Sequence, residues 1–205
     1  MLKIFTFIFL LFSTTIHAQE YSYSPHVKLI YNSKEKFSGT IIKCKEEILI
    51  LTCAHGIGEG GEGDVVDAEF RIFNTTQVSA TLPMMVKTIN RDQDLMLLSA
   101  ENTHIICRPF VVDPKFVEPG TRCLSCGFPL GGNYDSRYVV VESYNMFVGS
   151  TKAQFMVTRG SVELGMSGGP LIRNGKLVGV LSSRINGENE AHFVPAKYIV
   201  EFLKD

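Results

Sequence analysis

The chain has 205 residues, of which 45% are hydrophobic and 20% are charged. This composition is that of a globular protein and excludes disordered and collagen-like chains. Lys plus Arg total 20 and Asp plus Glu total 21, so the formal net charge is −1 and no basic surface for nucleic acid is predicted. The length allows one compact domain and leaves no room for a second domain of ordinary size.

The first 18 residues have the layout of a secretory signal peptide. Lys3 precedes an apolar run from Ile4 to Phe12, and Ala18 ends the segment. The run is about nine residues long and a bilayer needs roughly 20, so we expect cleavage after Ala18, with an uncleaved anchor as the alternative. The sequence therefore predicts a mature domain of residues 19–205 that is secreted or periplasmic and has no stable membrane insertion.

Ten segments rich in β-branched and aromatic residues alternate with turn signals. They are His26–Tyr31, Phe37–Cys44, Glu47–Cys53, Val65–Phe73, Met84–Ile89, Leu95–Ser99, Thr121–Cys126, Arg137–Val148, Ala153–Thr158 and Lys176–Ser182. This spacing predicts an all-β barrel or sandwich, because a parallel α/β fold would place helical patterns between the strands. One helix is predicted after Pro195, with an apolar face of Tyr198, Ile199, Phe202 and Leu203.

The most specific motif is Gly165-Met166-Ser167-Gly168-Gly169-Pro170. Glycines on both sides of a serine permit a sharp turn and the close approach of a substrate. Such a turn can aim the backbone N–H groups of Gly165 and Ser167 at a developing oxyanion. The motif therefore predicts a nucleophilic Ser167, with a glycine-rich hairpin turn as the alternative.

A serine hydroxyl is a weak nucleophile and needs a base within hydrogen-bond reach. In Leu51–Gly56 an apolar strand ends in small residues and then His55, which we take as the base; a structural histidine is the alternative. The base needs a buried acid to orient it. Asp94 directly precedes an apolar run and is preferred to Asp92, which we expect to be a solvated turn acid.

These motifs resemble those of the trypsin-like serine peptidase family, in which the histidine, the aspartate and the serine follow in this order. Gly127-Phe128-Pro129-Leu130-Gly131 and Phe193-Val194-Pro195 resemble segments of its HtrA-like branch. The resemblance implies an all-β fold of two six-stranded antiparallel β-barrels with a short carboxy-terminal helix. It places the active site between the barrels.

The resemblance also assigns roles by position. It makes His55 the general base, Asp94 its orienting acid and Ser167 the nucleophile of a serine endopeptidase that forms an acyl-enzyme. Gly165 and Ser167 would form the oxyanion hole. The substrate is a polypeptide, and no cofactor or metal is implied. A catalytically silent binding module and an esterase on the same fold are the alternatives.

By the same resemblance, three elements frame the pocket for the substrate side chain. They are Ser161, the strand Val180–Arg184 with Ser182, and the segment that contains His192. None supplies an aspartate that would select Arg or Lys. We expect His192 to point into the pocket and favour Glu or Gln, with a packing histidine as the alternative.

Two remaining features suggest other chemistry. The five cysteines are an odd number, so at least one is unpaired. Cys123-Leu124-Ser125-Cys126 is a CxxC motif in a strand-like setting, so buried thiols are preferred to redox or zinc chemistry. Gly56–Asp64 holds three acids among five glycines, and we expect a flexible rim loop, with calcium binding as the alternative.

Overall fold

The computed structural model describes residues 23–44, 47–101, 106–146, 154–185 and 189–204. The expected signal peptide, residues 1–18, lies outside these ranges. Within them, twelve strands form two closed six-stranded antiparallel barrels, followed by one short α-helix. This confirms the expected all-β fold class. No helix of the described ranges is long and apolar enough to span a membrane.

The first barrel is built from the amino-terminal half of the chain. Its strands are β1 (His26–Tyr31), β2 (Glu35–Cys44), β3 (Glu47–Thr52), β4 (Val65–Arg71), β5 (Val78–Asn90) and β6 (Leu95–Glu101). They close in the order β1-β2-β3-β6-β5-β4. Leu29, Met84 and Phe70 are fully buried in its interior.

The second barrel follows the same antiparallel principle. Its strands are β7 (Arg122–Gly127), β8 (Asp135–Met146), β9 (Gln154–Arg159), β10 (Pro170–Arg173), β11 (Lys176–Ile185) and β12 (Glu190–Pro195). They close in the order β10-β11-β12-β9-β8-β7. Val139, Met156 and Phe193 are buried in its interior.

A third apolar cluster joins the two barrels. In β3, Ile48 and Ile50 belong to the first barrel's core, whereas Leu51 belongs to the cluster that also contains Phe155 and Val194 of the second barrel. Successive side chains of a strand point to opposite faces, so a strand with a core on each face is apolar throughout. This shared cluster holds the barrels together and places their loops beside each other.

The ten predicted strands are all present, with shifted ends. The predicted ends at Val148 and Ala153 lie outside the described residues. Two strands were missed: β10 has only four residues and starts with a proline, and β12 starts with the polar sequence Glu-Ala-His. Both carry a weak local signal and are specified by their pairing with neighbouring strands.

The predicted terminal helix is α1 (Ala196–Phe202), and Pro195 occupies its N-cap position. Ile199 and Phe202 are buried in the cluster between the barrels. Leu203 lies beyond the helix and is 37% exposed, so its expected place on the buried face is wrong.

The segment Gly56–Asp64, with its five glycines and three acids, is hydrogen-bonded to the first barrel. Asp64 accepts hydrogen bonds from the Tyr31 hydroxyl at 2.7 Å and from the Gly61 N–H at 3.1 Å. Arg91 donates to the carbonyl groups of Gly58 and Gly60. In the ranges that the structure describes, no group of three acidic, histidine or cysteine side chains is placed to hold a metal ion. The Asp64 carboxylate therefore has a structural use in this loop.

The CxxC cysteines are buried free thiols on β7, and Cys123 belongs to the core of the second barrel. Cys123 is 1% exposed and Cys126 is fully buried. Burial raises the pKa of the Cys123 thiol and raises that of Cys126 to about 11. A neutral, buried thiol is a poor nucleophile, so the interpretation of these residues as small apolar core residues is confirmed.

Candidate active site

A cleft of about 210 Å³ opens between the two barrels. Its lining residues are His55 from the first barrel and, from the second, Val162, Glu163, Leu164, Ser167, Leu181, Ser182, Ser183 and Arg184. His55 follows β3, and Ser167 precedes β10. The fold thus places the predicted base and the predicted nucleophile on one concave surface.

Asp94 lies between β5 and β6, and its carboxylate is hydrogen-bonded to His55. The His55 Nδ1 atom lies 2.9 Å from Oδ2 and 3.1 Å from Oδ1 of Asp94, whose side chain is 8% exposed. The backbone N–H of His55 also donates to Oδ1, at 2.9 Å. An imidazole whose Nδ1–H donates to a buried carboxylate presents Nε2 for proton transfer. One carboxylate therefore orients both the ring and the main chain of His55.

Ser182 supplies a further partner of this carboxylate. Its buried hydroxyl donates to Asp94 Oδ2 at 2.5 Å. The sequence prediction assigned Ser182 to substrate binding; the residue does line the cleft, but its side chain is directed to Asp94. The two residues are 88 positions apart, so the strand pattern around Ser182 carried no signal for this contact.

The Nε2 atom of His55 faces Cys53, with 3.7 Å between Nε2 and Sγ. Among the described residues, no hydrogen bond joins His55 to the Ser167 hydroxyl. The neighbouring Cys53 and, after it, Asp94 raise the pKa of His55 from its ordinary value of 6.5 to about 11, and burial offsets only part of this rise. Sequence reasoning missed Cys53 as a neighbour of the base, although it lies two residues before His55.

The turn before Ser167 has a defined peptide orientation at Gly165. The Leu164 carbonyl accepts a hydrogen bond from the Leu130 N–H at 2.6 Å. In a trans peptide the N–H points opposite to the carbonyl, so the Gly165 N–H is directed away from Leu130. Gly165 has φ = +88°, and a Cβ there would lie 2.6 Å from the Phe128 carbonyl oxygen. Only glycine fits this conformation and this close approach.

The Ser167 peptide has a matching orientation. The Met166 carbonyl accepts a hydrogen bond from the Gly169 N–H at 2.9 Å, so the Ser167 N–H points to the opposite side. Within the described ranges, neither the Gly165 N–H nor the Ser167 N–H donates to a protein acceptor. Two unpaired backbone donors beside a serine are the arrangement that stabilises an oxyanion.

The other two predicted substrate-binding residues do not line the cleft. Ser161 is exposed and accepts a hydrogen bond from Arg137 Nη1 at 3.0 Å. His192 is 4% exposed, and its ring nitrogens contact Ser183 Oγ at 3.0 Å and Glu190 Oε1 at 2.9 Å. The packing alternative describes His192 better than direct contact with a substrate side chain.

Two charged cleft residues were not assigned from the sequence. Glu163 pairs with Arg137 Nη2 at 2.6 Å, and Arg184 donates to the Val162 carbonyl at 3.4 Å. Arg184 belonged to the strand expected to frame the pocket. Its place on this framing strand, two residues after Ser182, was the available signal.

Known proteins resemble the chain in sequence pattern and in fold. The family model described as a trypsin-like peptidase domain matches residues 37–180, which is more than half of the chain. A search of curated protein sequences finds no match.

Solved protease structures share the fold at low sequence identity. The active form of the Rv3671c protease from M. tuberculosis has a TM-score of 0.72 and 21% identity, with 91% of this chain and 81% of that chain covered. Its inactive form has a TM-score of 0.70 and 20% identity, with 88% and 87% covered. A serine endoprotease from Yersinia pestis has a TM-score of 0.69 and 19% identity, with 88% and 61% covered. The family match and the shared two-barrel fold agree: the chain belongs to the trypsin-like peptidase family.

Proposed function

We propose that this protein is an exported serine endopeptidase that hydrolyses peptide bonds through an acyl-enzyme on Ser167. The observation that carries the proposal is the pair of unpaired amide donors at Gly165 and Ser167, in a cleft that also contains the His55–Asp94 pair. Stabilisation of a tetrahedral intermediate requires two such amide donors beside the nucleophilic serine.

In the proposed mechanism, His55 Nε2 takes the proton of the Ser167 hydroxyl as the oxygen attacks the substrate carbonyl. Asp94 keeps the imidazolium oriented and stabilises its charge. The Gly165 and Ser167 amides bind the oxyanion, and His55 then returns the proton to the leaving amine. A water molecule, activated by His55 in the same way, releases the acyl group and restores the serine.

The Nε2 atom of His55 has to change its hydrogen-bond partner during this cycle. In the structure Nε2 contacts Cys53, and catalysis needs it on the Ser167 hydroxyl. The His55 side chain is 49% exposed, so a small rotation meets little packing resistance. Catalytic hydrogen bonds are often long in substrate-free enzymes and shorten when substrate binds.

The same Cys53 contact favours a second candidate function. If Nε2 stays on Cys53, Ser167 lacks a base, and the cleft binds a polypeptide without cutting it. A fluorophosphonate probe separates the two functions, because it reacts only with an activated serine.

The experiment uses the mature protein, residues 19–205, and mass mapping of the labelled peptide. We expect labelling at Ser167 that is lost in Ser167→Ala and His55→Ala. Ser79→Ala is the matched control, because Ser79 is an exposed serine outside the cleft, and it should label like the parent. A folded parent protein that does not label would overturn the peptidase proposal in favour of the binding module.

Export is tested on the full-length chain. In a bacterial host with a secretory system, the proposal expects the protein outside the cytoplasm with Gln19 as its first residue. A chain that keeps Met1 and stays in the cytoplasm would contradict export and leave the catalytic proposal untouched.

A further inference from the structure

Three side chains of the cleft carry or can carry a charge: His55, Glu163 and Arg184. His55 is engaged by Asp94 and Cys53. Glu163 pairs with Arg137, 2.6 Å away, and Arg137 also pairs with Asp135 at 2.8 Å. Arg184 is the charged cleft residue that forms no ion pair in the described part of the chain.

Arg184 has no acidic partner in the described part of the chain. Its Nη1 donates to the Val162 carbonyl at 3.4 Å, a long hydrogen bond to a neutral group. Its Nε is buried and makes no hydrogen bond. Because a partly buried cation without a counter-ion is unfavourable, an anion that enters the cleft gains a full charge-assisted interaction there.

The position of Arg184 relates it to the reacting atoms. It lies on β11 two residues after Ser182, and it lines the same cleft of about 210 Å³ as His55 and Ser167. A substrate whose carbonyl lies at Ser167 places the side chain of that same residue, called P1, in this cleft. The P1 side chain would therefore lie beside Arg184, which forms part of the wall of this small cleft.

We propose that Arg184 makes this protein select substrates with an acidic P1 residue, glutamate or aspartate. This inference rests on the proposed peptidase function and names its substrate class. A guanidinium is charged at all physiological pH values and presents a planar set of donors that matches a carboxylate. The neutral amide of glutamine offers only one acceptor and no charge, so Glu and Gln are discriminated.

The selection is assigned to Arg184 and not to His192, which the sequence suggested. His192 is buried, and Glu190 already supplies a carboxylate to its Nε2 at 2.9 Å. Its other nitrogen contacts the hydroxyl of Ser183, a cleft residue. His192 therefore positions Ser183, and the free positive charge in the cleft belongs to Arg184.

The test compares fluorogenic peptides that differ only in Glu, Gln, Leu or Lys at P1. For the parent protein we expect kcat/KM to favour Glu over Gln by about 10²-fold. A Gln peptide leaves the charge of Arg184 without a carboxylate partner, and this loss disfavours its transition state. Arg184→Gln should reduce this ratio to about one, and Arg184→Glu should shift the preference to Lys. Arg159→Gln is the matched control: it removes an exposed arginine of the same barrel that pairs with Glu142, and it should keep the parent ratio.

Fluorophosphonate labelling of Ser167 in each variant shows whether the site is assembled. A parent protein that labels but cleaves Gln or Leu peptides as well as Glu peptides would overturn the inference while the peptidase function stands. An unchanged Glu preference in a folded, labelling Arg184→Gln variant would overturn it too. Calorimetric binding of the Glu and Gln peptides to Ser167→Ala tests the same selection without turnover, and equal affinities would contradict it.

Discussion

The hydroxyl of Ser38 donates a hydrogen bond to the carbonyl of Gly165 at 2.7 Å, across 127 positions of sequence. The same oxygen accepts the N–H of Phe128 at 2.9 Å, and the Ser38 N–H donates to the Ser167 carbonyl at 2.8 Å. Ser38, a residue of the first barrel, thus fixes two segments of the second barrel. One is the turn that contains Ser167, and the other is the loop at Phe128 that supports this turn. Ser38 is a positioning residue for the proposed oxyanion hole.

Removal of the Ser38 hydroxyl should damage both stability and turnover. Ser38→Ala leaves the Gly165 carbonyl and the Phe128 N–H without this partner, which costs about 1–3 kcal/mol of unfolding free energy. We expect kcat to fall about tenfold or more with a smaller change in KM, because the oxyanion amides lose their support. Steady-state kinetics and urea unfolding measure the two effects.

Ser125→Ala is the matched control for Ser38→Ala. Ser125 is equally buried, but its hydroxyl makes no hydrogen bond. We expect this variant to keep both its stability and its kcat, since no partner is lost. Equal losses in the two variants would mean that burial, and not the Gly165 contact, explains the effect.

Cys53 should influence the pH at which kcat/KM rises. A general base must be neutral, so a raised His55 pKa moves the rising limb of kcat/KM to higher pH. Cys53 and Asp94 are the two groups that raise it. Cys53→Ala removes the larger cause, and the rising limb should therefore move to lower pH.

The measurement is the pH profile of kcat/KM for the parent, Cys53→Ala and Cys123→Ala. Cys123 is a buried thiol of the second barrel outside the cleft, so its replacement should leave the profile in place. A Cys53→Ala profile that coincides with the parent profile would show that the thiol does not tune His55.

Asp94→Asn should remove most of the activity without unfolding the protein. An amide has nearly the same shape as the carboxylate, but it favours the wrong tautomer of His55 and offers no charge to the imidazolium. We expect kcat to fall about 10⁴-fold. Asp67→Asn, at an exposed position of β4, is the control and should keep its activity. A loss of tenfold or less in Asp94→Asn would contradict the assigned role.

Gly168 should be intolerant of any side chain. It has φ = +81°, and a Cβ there would overlap Thr52 Oγ1 and the Ser38 carbonyl oxygen. Gly175 has a similar φ of +73°, but nothing lies within 4 Å of its added Cβ. Gly175→Ala should therefore cost only the left-handed backbone strain of about 1–2 kcal/mol.

Gly168→Ala should be at least about 2 kcal/mol less stable than Gly175→Ala, because steric overlap adds to the same strain. Chemical denaturation of both variants gives the difference. Equal stabilities would mean that the turn around Gly168 relaxes to accept a methyl group.

Three residues of the candidate site could be predicted because the residues around each of them in the chain identify it. The apolar strand before His55, the acid before Leu95 and the glycines around Ser167 each mark a chemical group by its neighbours in the chain. Two strands, β10 and β12, could not be predicted in this way. Their local sequence signal is weak, and they are specified by pairing with β7, β9 and β11.

The contacts that refine the site join residues far apart in the chain, and no local pattern predicts them. Ser182 reaches Asp94 across 88 positions, and Ser38 reaches Gly165 across 127. Glu190 engages His192 from two residues away on the same strand, whereas Arg184 lies opposite Ala191 on the antiparallel strand and forms no ion pair in the described ranges. The sequence by itself determined the family pattern and the proposed triad, because these are carried by short motifs. Only the tertiary structure decided which charge remains free in the cleft, because that depends on distances between strands.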